Sequence, residues 1–489
     1  MQGVDLLIIA AYLISIVAIG FWCRRHQKTT RHYFLAGRQL PWWAISGSIV
    51  ATETSAITFV SIPGVAFARG GNFTFLELVM GYLVGRIVIV ILFIPAYFRH
   101  SLLTIYQLLR DRFGASVKSL ASILFITMRT VADAVRLVLT SIVVAIVWTT
   151  FFPQLHPAHA TALSIVLIGA VMLVFTAVGG MEAVVWTEVM HVGVYILGAI
   201  VAAVILLNHV GGFSAVWAVG HEYGKFRVFD FSLDITKTYA FWSGLIGGCF
   251  LTMSTHGTDQ YMVQRYLCTT SSRKASVALL VSGVVIFVQF VGFLFIGVLL
   301  FAYYKPYQLA TYLTGPAAAP FRASDQVFPD FIIHHVPSGI SGLLVAAVLA
   351  AATSPSVNSI AATAVNDLYR PLVRDRDDHH SLNVSRLMTV LAGIAQISVA
   401  LVLAGTARAA VDIALGVASL VNGPILGVFL LAATGRGKQT AALAGMIAGI
   451  AVVTAVWLAT PVAWPWYAAI GSLTTLGVGS AAAMVKRES

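Results

Sequence analysis

Charged side chains are scarce in this sequence. Only 10% of the 489 residues are Asp, Glu, Lys or Arg, and 59% are hydrophobic, whereas a typical soluble domain carries roughly 25% charged residues. One soluble core cannot bury so much apolar surface. The charges lie between apolar stretches long enough to cross roughly 30 Å of hydrocarbon as helices. The composition therefore predicts an all-α integral membrane protein in contact with a lipid bilayer.

Cysteine is equally rare. Cys23, Cys249 and Cys268 lack the spacing of a metal or redox motif, and three cysteines cannot form a disulfide framework. The sequence also lacks a nucleophile–base pair, a metal-ligand cluster and any soluble segment large enough to be catalytic. We therefore do not expect an enzyme.

A cleavable signal peptide is missing too. The stretch from Val4 to Trp22 has neither a basic region before it nor a small-residue cleavage site, so we expect a retained helix. The hydrophobic pattern predicts about thirteen spans. They lie near 4–23, 43–67, 74–98, 116–150, 160–178, 182–207, 239–261, 275–303, 340–366, 385–405, 410–433, 440–459 and 464–485. The fourth is too long for one straight span, so it should tilt or extend beyond the bilayer.

The net charge of +11 is better explained by membrane orientation than by nucleic-acid binding. With the N-terminus outside, twenty of the thirty Lys and Arg residues fall in cytoplasmic loops and seven in outer loops. The remaining three, Arg86, Arg129 and Arg136, lie inside spans. Because positive loops stay in the cytoplasm, we predict an outside N-terminus, a cytoplasmic C-terminus and a location in the cell (inner) membrane.

The second predicted span contains groups that interrupt membrane helices. It holds Pro63, Gly64, seven hydroxyl side chains and a carboxylate, Glu53, near mid-membrane. Hydroxyls alone can serve packing between helices. An ionisable group among helix breakers is more typical of an unwound segment that lines an ion or substrate site.

The ninth and seventh spans carry similar signals. The ninth is interrupted by hydroxyl residues around Pro355, which offer the oxygen ligands that a hard cation prefers. The seventh is rich in glycine and should break near Gly257. Broken spans two and seven, five helices apart, indicate two inverted five-helix repeats around a central site.

We accordingly divide one transmembrane domain, 1–489, into four parts. An extra N-terminal helix and loop occupy 1–42, and two C-terminal helices occupy 440–489. Repeat one covers 43–207, and repeat two covers 239–433.

Several of these segments resemble the sodium:solute symporter family. They are YFLAGRQLPWWAISGSIVATETSAITFVSIPG at 33–64, TAVGGMEAVVWTEVMH at 176–191, DQYMVQRYL at 259–267, the span at 340–370, and VNGPILGVFLLA at 421–432. The resemblance covers nearly the whole chain. It implies a leucine-transporter-like bundle of 5+5 inverted repeats that imports a small polar solute with Na⁺ by alternating access.

The resemblance also implies a sodium site between the first helix of repeat one and the third helix of repeat two. Matched residue by residue, its ligands fall on the carbonyls of Ala51, Thr54 and Ala351 and on the hydroxyl of Ser354. The second hydroxyl position of the family holds Pro355 here.

Two further matches concern cations. The serine-rich stretch before Asn358 is shorter than in the family, and Thr353 or Ser356 is the candidate to complete the sodium site. Some relatives bind a second sodium ion through a carboxylate that matches Glu188. Glu188, together with Ser356, is therefore a candidate second ion site, and Glu188 is equally a candidate structural ion-pair partner.

Substrate contacts implied by the resemblance fall on spans two, three, four, seven and eleven. The matching candidates are Glu53, Ser55, Thr58, Gly81, Thr255, Asp259 and Gln260, and the intramembrane charge of Arg136 makes it a further candidate. Ile57 stands where sugar-binding relatives have polar side chains, so we expect a different solute. Glu53 can bind the ion, receive an amine or carry a proton.

The intramembrane charges leave two interpretations open. Arg129, Asp133 and Arg136 share a helix face by their spacing, and they can form a neutral buried network. Alternatively, Arg136 or Arg86 receives a substrate carboxylate, since guanidinium binds planar anions through two hydrogen bonds. His256 is either a packing residue or a pH sensor.

The leading hypothesis from the sequence is therefore a sodium-coupled secondary active symporter of a small organic solute, with a carboxylate favoured by the arginines. A proton-coupled symporter or an uncoupled facilitator of the same fold is the alternative. We expect a functional monomer.

Overall fold

The computed structural model describes residues 2–54, 56–99, 102–309, 312, 315–321, 323–352, 356–373, 377–404, 407–435 and 437–485. Within these residues every regular element is a helix, as the composition predicts. The helices of the first half are α1 (Gly3–Cys23), α2 (Thr30–Leu35), α3 (Trp42–Glu53), α4 (Ala56–Phe67), α5 (Phe75–Leu92), α6 (Ile94–Arg99), α7 (Tyr106–Phe113), α8 (Ala115–Phe151), α9 (Pro157–Val210) and α10 (Phe213–Glu222).

The second half begins with π-helical turns around a short α-helix. Its helices are α11 (Gly248–Thr252), α12 (Gln260–Leu267), α13 (Ser272–Tyr304), α14 (Val327–His334), α15 (Ile340–Ala352), α16 (Val357–Thr363), α17 (Asp378–Leu403), α18 (Ala407–Ala433), α19 (Gln439–Ala459) and α20 (Trp466–Val485). The π-helical segments are Ser243–Gly247 and Met253–Gly257, on either side of α11, and Ala364–Tyr369 after α16.

Eight helices in the described part of the chain are long and apolar enough to cross a membrane. They account for nine of the predicted spans, because α9 contains two of them. Spans two, seven, nine and eleven correspond to broken or shorter apolar helices, so the count of thirteen stays a prediction. The 37 residues of α8 extend roughly 55 Å at 1.5 Å per residue, beyond the hydrocarbon thickness, as its length in the sequence predicts.

The bend in α9 explains the Gly-Gly pair of the 176–191 segment. Gly180 has φ 60° and ψ −155° inside the helix, a conformation that is essentially restricted to glycine. A Cβ at this position would also lie 2.7 Å from the carbonyl oxygen of Tyr33. Gly180 therefore lets the two predicted spans of α9 change direction against the segment that contains α2.

That neighbouring segment, 33–38, is held from several sides. The Tyr33 hydroxyl donates to Thr389 Oγ1 at 3.0 Å, and the Phe34 carbonyl accepts from Gln264 Nε2 at 2.7 Å. Arg38 Nη2 donates to the Leu102 carbonyl at 2.8 Å. The YFLAGR motif thus connects three distant parts of the chain.

The bundle packs around α13 and α9. Helix α13 contacts α3, α4, α5 and α9, and α9 contacts α1, α3, α8, α15 and α17. The C-terminal helices α19 and α20 pack on α18 and on each other. The two interrupted helices, α3–α4 and 243–267, consequently lie in the interior, where their free backbone groups are shielded from lipid.

Candidate functional site

The first interrupted helix breaks inside the predicted second span, and the break lies at Glu53 and Thr54 and not at Pro63, which is inside α4. Helix α3 ends at Glu53, and Thr54 leaves the helical region with φ −81° and ψ 85°. The Thr54 hydroxyl accepts from Gln289 Nε2 of α13 at 2.7 Å. Ala51 and Thr54, two of the predicted sodium ligands, are both buried at this break.

The second interrupted helix breaks one residue after the predicted Gly257. Its π-helical turn Met253–Gly257 is followed by Thr258 with φ −127°. Asp259 then starts α12 by accepting from the backbone N–H of Tyr261 at 2.8 Å. Both breaks thus carry buried polar groups, and the two breaks are close together because Glu53 Oε2 lies 3.3 Å from His256 Nε2.

A cavity of about 270 Å³ lies between the two breaks. Its wall combines polar side chains with apolar and aromatic ones. The lining residues are Thr52, Glu53, Thr58, Ile62, Phe75, Tyr82, Arg129, Arg136, Leu251, Thr252, Thr255, His256, Tyr261, Met262 and Phe290. A small site with a few convergent polar groups is typical of ligand binding.

Half of the predicted substrate residues line this cavity, namely Glu53, Thr58, Arg136 and Thr255. Ser55 lies outside the described residues. The remaining three, Gly81, Asp259 and Gln260, have other partners.

Gly81 faces the backbone of the second interrupted helix. A Cβ there would lie 2.8 Å from the Leu245 carbonyl oxygen and 2.9 Å from Gly248 Cα. Gln260 Oε1 accepts from the N–H of Ile105 at 2.9 Å, and its Nε2 donates to the Leu103 carbonyl at 3.1 Å. Both residues thus position chain segments around the cavity.

Glu53 contacts one cation, Arg86, and one imidazole, His256, from two other helical segments. Its Oε2 accepts from Arg86 Nη2 of α5 and lies 3.3 Å from His256 Nε2. The Glu53 side chain is 11% exposed. Since Arg86 neutralises its charge, Glu53 is a weak attractor for a free amine.

A second charged group runs from α8 to the start of α12. Arg129 Nη2 donates to Asp259 Oδ2, and Arg129 Nη1 lies 3.9 Å from Asp133 Oδ1. Asp133 Oδ1 is also 3.8 Å from Arg136 Nη1. The shared helix face predicted for these residues is present, and the strongest partner of Arg129 comes from a distant helix.

Arg136 is the least committed of the cavity arginines. Its buried Nη1 has no hydrogen-bond partner among the described residues, and neither does either carboxylate oxygen of Asp133. An arginine facing a cavity with an unused N–H is a ready donor to an anion.

Glu188 has a different environment. Its Oε1 accepts from Arg265 Nη2 at 2.5 Å, its Oε2 from Arg265 Nε at 3.2 Å, and it also accepts from Ser48 and Thr52. The Glu188 and Arg265 side chains are 0% and 1% exposed. Of the two roles foreseen for Glu188, this geometry fits an ion-pair partner.

The ninth-span candidates are only partly described. Ala351 lies in α15, and Thr353 and Ser354, as well as Pro355, lie outside the described residues. Ser356 is buried, and its Oγ accepts from Gln396 Nε2 of α17 at 2.9 Å. Ser356 is thus joined to α17, and its place in a second ion site with Glu188 stays a prediction.

The segment between α9 and the second interrupted helix contains α10 and a buried lysine, Lys225. Its Nζ donates to the carbonyls of Ala66, Phe67 and Ala68 at the end of α4, at 3.0, 3.2 and 2.7 Å. Burial lowers the pKa of Lys225 to about 7. Lys225 therefore ties the end of the first interrupted helix to the loop.

Two cavity residues that were not predicted for the substrate site, Tyr82 and Thr252, lie one helical turn from residues that the sequence singled out. Tyr82 precedes Arg86 by four residues, and its carbonyl accepts from Arg86 Nη1 at 3.4 Å. Thr252 precedes His256 by four residues. Helical spacing from a singled-out residue would have found both.

Comparisons with known proteins agree with this architecture. A sequence model described as "Sodium:solute symporter family" matches residues 33–449. The chain is 30% identical to the sodium/sialic acid symporter NanT of Aliivibrio fischeri, over 96% of this chain and 90% of that protein.

Solved structures match as well. A Na⁺-coupled sialic acid symporter in a substrate-bound outward-open state has a TM-score of 0.86 at 27% identity, covering 99% of this chain and 98% of that one. The nucleobase-cation-symport-1 transporter MHP1, closed around bromovinylhydantoin, has a TM-score of 0.57 at 14% identity, with 92% and 93% covered. The predicted leucine-transporter-like bundle is confirmed.

Proposed function

From the membership of this chain in the sodium:solute symporter family, we propose that it is a sodium-coupled symporter of a small carboxylate-bearing solute. The chain belongs to that family because the family model covers most of it. It is accordingly a multi-pass membrane transporter, and the proposal adds the coupling ion and the solute class.

The observation that carries the solute class is Arg136. Its guanidinium faces a cavity of about 270 Å³ and has an unused, buried Nη1. A solute carboxylate would supply the missing acceptor, and charge-assisted hydrogen bonds are the strong ones. The sialic acid carried by the relatives is itself a carboxylate.

The rest of the cavity wall limits which other chemical groups the solute can carry besides its carboxylate. Phe75 and Phe290, which stack at 5.0 Å between ring centroids, line it beside Ile62, Leu251 and Met262. Thr58 and Thr255 supply hydroxyls. A compact solute with a carboxylate and both apolar and polar faces fits this wall.

Sodium binding is proposed at the first break, on the carbonyls of Ala51 and Thr54, together with Ala351, Thr353 and Ser354 of the ninth span. Filling this site would fix α3 against α15. Sodium would thereby favour the outward-open state, and the solute would favour closure.

The proposal extends to the transport cycle and to the orientation of the protein in the membrane. We propose that repeat one, 43–207, and repeat two, 239–433, rock about the cavity, with each interrupted helix at the start of its repeat. We also propose a monomer in the cell (inner) membrane, with the N-terminus outside and the C-terminus in the cytoplasm.

The test uses purified full-length protein in proteoliposomes. Sialic acid, pyruvate and glucose serve as labelled probes, under inward gradients of sodium, lithium or choline. We expect sodium-dependent uptake of a carboxylate and none of glucose. Equal uptake in choline at fixed pH would replace the symporter by a facilitator, and preferential uptake of glucose would overturn the solute class.

A thermal-shift screen widens the choice of solutes. Organic acids, amino acids and sugars are compared with and without sodium, because a ligand that binds the native state raises its Tm. Stabilisation by organic acids that needs sodium is the expected pattern.

A further inference from the structure

A groove of about 300 Å³ lies where α5, α6, α7 and α18 meet. No described residue lines both this groove and the cavity between the two interrupted helices. The wall of the groove is apolar apart from the Tyr97 phenol and two charged side chains, Asp111 and Arg112. The groove is therefore distinct from the candidate solute site and combines an apolar part with a pair of opposite charges.

The apolar part of the groove faces the lipid bilayer. Helix α5 belongs to a segment, Phe75–Arg99, that is long and apolar enough to cross a membrane. Leu92 in the groove wall is 49% exposed, and its neighbour Ile91 is 65% exposed. In a multi-pass membrane protein, exposed apolar side chains on a spanning helix contact acyl chains. An acyl chain can therefore enter the groove from the bilayer.

The charged part of the groove comes from the C-terminal half of α7. Arg112 Nη1 donates to the Gly437 carbonyl at 3.2 Å, and the guanidinium carbon lies 5.0 Å from the centroid of the Phe113 ring. These two contacts position the guanidinium. Among the described residues, Arg112 Nε and Nη2 have no acceptor and the Asp111 carboxylate has no donor. Both side chains therefore keep hydrogen-bonding capacity for a ligand.

One positive and one negative side chain beside an apolar groove match a phospholipid head that carries both charges. A guanidinium binds a phosphate through parallel hydrogen bonds. A carboxylate accepts hydrogen bonds from a primary ammonium, which has three N–H donors. A head with a negative charge alone would also face Asp111, and a quaternary ammonium has no hydrogen to donate. The charges therefore favour a head with a phosphate and a primary ammonium.

We propose that this groove is a binding site for a phospholipid of the phosphatidylethanolamine type. The lipid phosphate binds Arg112, and the lipid ammonium binds Asp111. One acyl chain lies along Leu92, Phe429 and Ala433, which all line the groove. Charged pockets between membrane helices are known places for lipid head groups, and this one selects its lipid by carrying both signs of charge.

Two residues of the groove wall connect this site to the break in the second interrupted helix. The Tyr97 hydroxyl donates to the Gly257 carbonyl. A Cβ on Gly257 would lie 3.1 Å from Phe93 Cδ2, so the Phe93 ring packs directly on the break. Because Phe93 and Tyr97 both line the groove, a bound lipid packs on the residues that support the break. Lipid binding should therefore stabilise the folded bundle.

The test measures the Tm of purified, delipidated full-length protein in detergent. Phosphatidylethanolamine, phosphatidylcholine and phosphatidylglycerol with the same acyl chains are added in separate titrations, because a ligand that binds the native state raises its Tm. We expect phosphatidylethanolamine to act at the lowest concentration. Equal effects of the three lipids would overturn the proposal. So would an equal effect of phosphoethanolamine, a soluble head group without acyl chains.

Three variants on α7 test the two charges. Asp111→Asn removes the partner of the ammonium and should reduce the preference for phosphatidylethanolamine over phosphatidylcholine roughly threefold to fivefold. Arg112→Gln removes the partner of the phosphate and should weaken the binding of all three lipids roughly tenfold. Arg110→Gln is the matched control, because Arg110 is exposed and does not line the groove. An unchanged preference in Asp111→Asn would overturn the proposal.

The experiment needs neither solute nor sodium. The absence of a lipid preference would therefore concern the groove alone, and a failure of sodium-dependent uptake would concern the proposed symport alone.

Discussion

Two buried charged regions lie within the same bundle, and their hydrogen bonding differs. In and beside the cavity, Arg136 Nη1, both oxygens of Asp133, and Arg86 Nε have no hydrogen-bond partner among the described residues. In the pair of Glu188 and Arg265, each carboxylate oxygen accepts from the guanidinium, and Ser48 and Thr52 add further donors.

The difference indicates different roles. An unsatisfied buried polar group is costly and calls for an explanation, and in the cavity a ligand would provide it. The satisfied pair needs no ligand and holds α3, α9 and α12 together. Partner geometry, more than charge alone, separates binding residues from structural ones.

The largest expected effect comes from breaking the satisfied pair. Arg265→Met leaves the Glu188 carboxylate buried without its cation, which costs about 3–5 kcal/mol of stability. We expect strongly reduced folded protein and a lower Tm, measured by thermal unfolding and size-exclusion chromatography in detergent.

The control is the double variant Glu188→Gln with Arg265→Met. Because it removes both charges, it should recover part of the lost stability. If Arg265→Met were as stable as wild type, the pair of Glu188 and Arg265 would not be needed for folding. The contrast between this pair and the cavity charges would then no longer hold.

A substitution of Arg136 in the cavity should weaken solute binding and leave the stability of the fold unchanged. Arg136→Gln removes the proposed carboxylate donor, and the loss of a charge-assisted hydrogen bond is expected to weaken solute binding roughly tenfold to hundredfold. Its Tm should stay close to that of wild type, since Arg136 makes no hydrogen bond through Nη1 that would be lost. Uptake and thermal unfolding are measured on the same preparation.

Arg136→Lys is the matched control because lysine keeps the positive charge but cannot donate the two parallel hydrogen bonds of a guanidinium group. It should retain part of the binding that Arg136→Gln loses. Retained uptake in Arg136→Gln would instead favour the neutral buried network.

The sequence predicts the breaks better than the pairs. Helix breakers act locally, so Gly257 indicates where the second interrupted helix ends, and the breakers and hydroxyls of the second span indicate that it is interrupted, although Pro63 itself lies inside α4. Partners in space carry no such signal. The spacing of Arg129 suggests Asp133, four residues away, yet its direct partner is Asp259, 130 positions along the chain.

The glycines show the same limit. Gly180 lies in a Gly-Gly pair, a local sign of a bend, and the bend is present. Gly81 was assigned to the substrate by resemblance, and the structure places it against the backbone of Leu245 and Gly248. Glycines four apart, as at Gly81 and Gly85 and at Gly244 and Gly248, are typical of a close approach between membrane helices, but the sequence does not say which helix meets which.

Gly81→Ala therefore tests whether this residue belongs with the cavity or with the packed interior. The added methyl group would crowd the Leu245 carbonyl oxygen at 2.8 Å, and overpacking of this kind costs about 1–3 kcal/mol. We expect a lower Tm.

Gly193→Ala is the control, because nothing lies within 4 Å of its added Cβ, and alanine should be neutral or slightly stabilising there. If Gly81→Ala changed the solute affinity and left the Tm unchanged, Gly81 would be a substrate-site residue, as the resemblance implies.

The smallest expected effect concerns Lys225, a buried charge held by carbonyls without a carboxylate. Burial lowers its pKa from 10.5 to about 7 in the folded protein. Between these values the unfolded chain binds more protons than the folded one, so the free energy of unfolding should rise with pH, by up to about 1 kcal/mol per pH unit. Thermal unfolding between about pH 7 and pH 9.5 measures this slope, which Lys225→Met should flatten. If the slope of the free energy of unfolding against pH were the same in both proteins, the three carbonyls at the end of α4 would keep Lys225 charged in the folded state. Lys225 would then be a charge with satisfied hydrogen bonds, like Glu188 and Arg265.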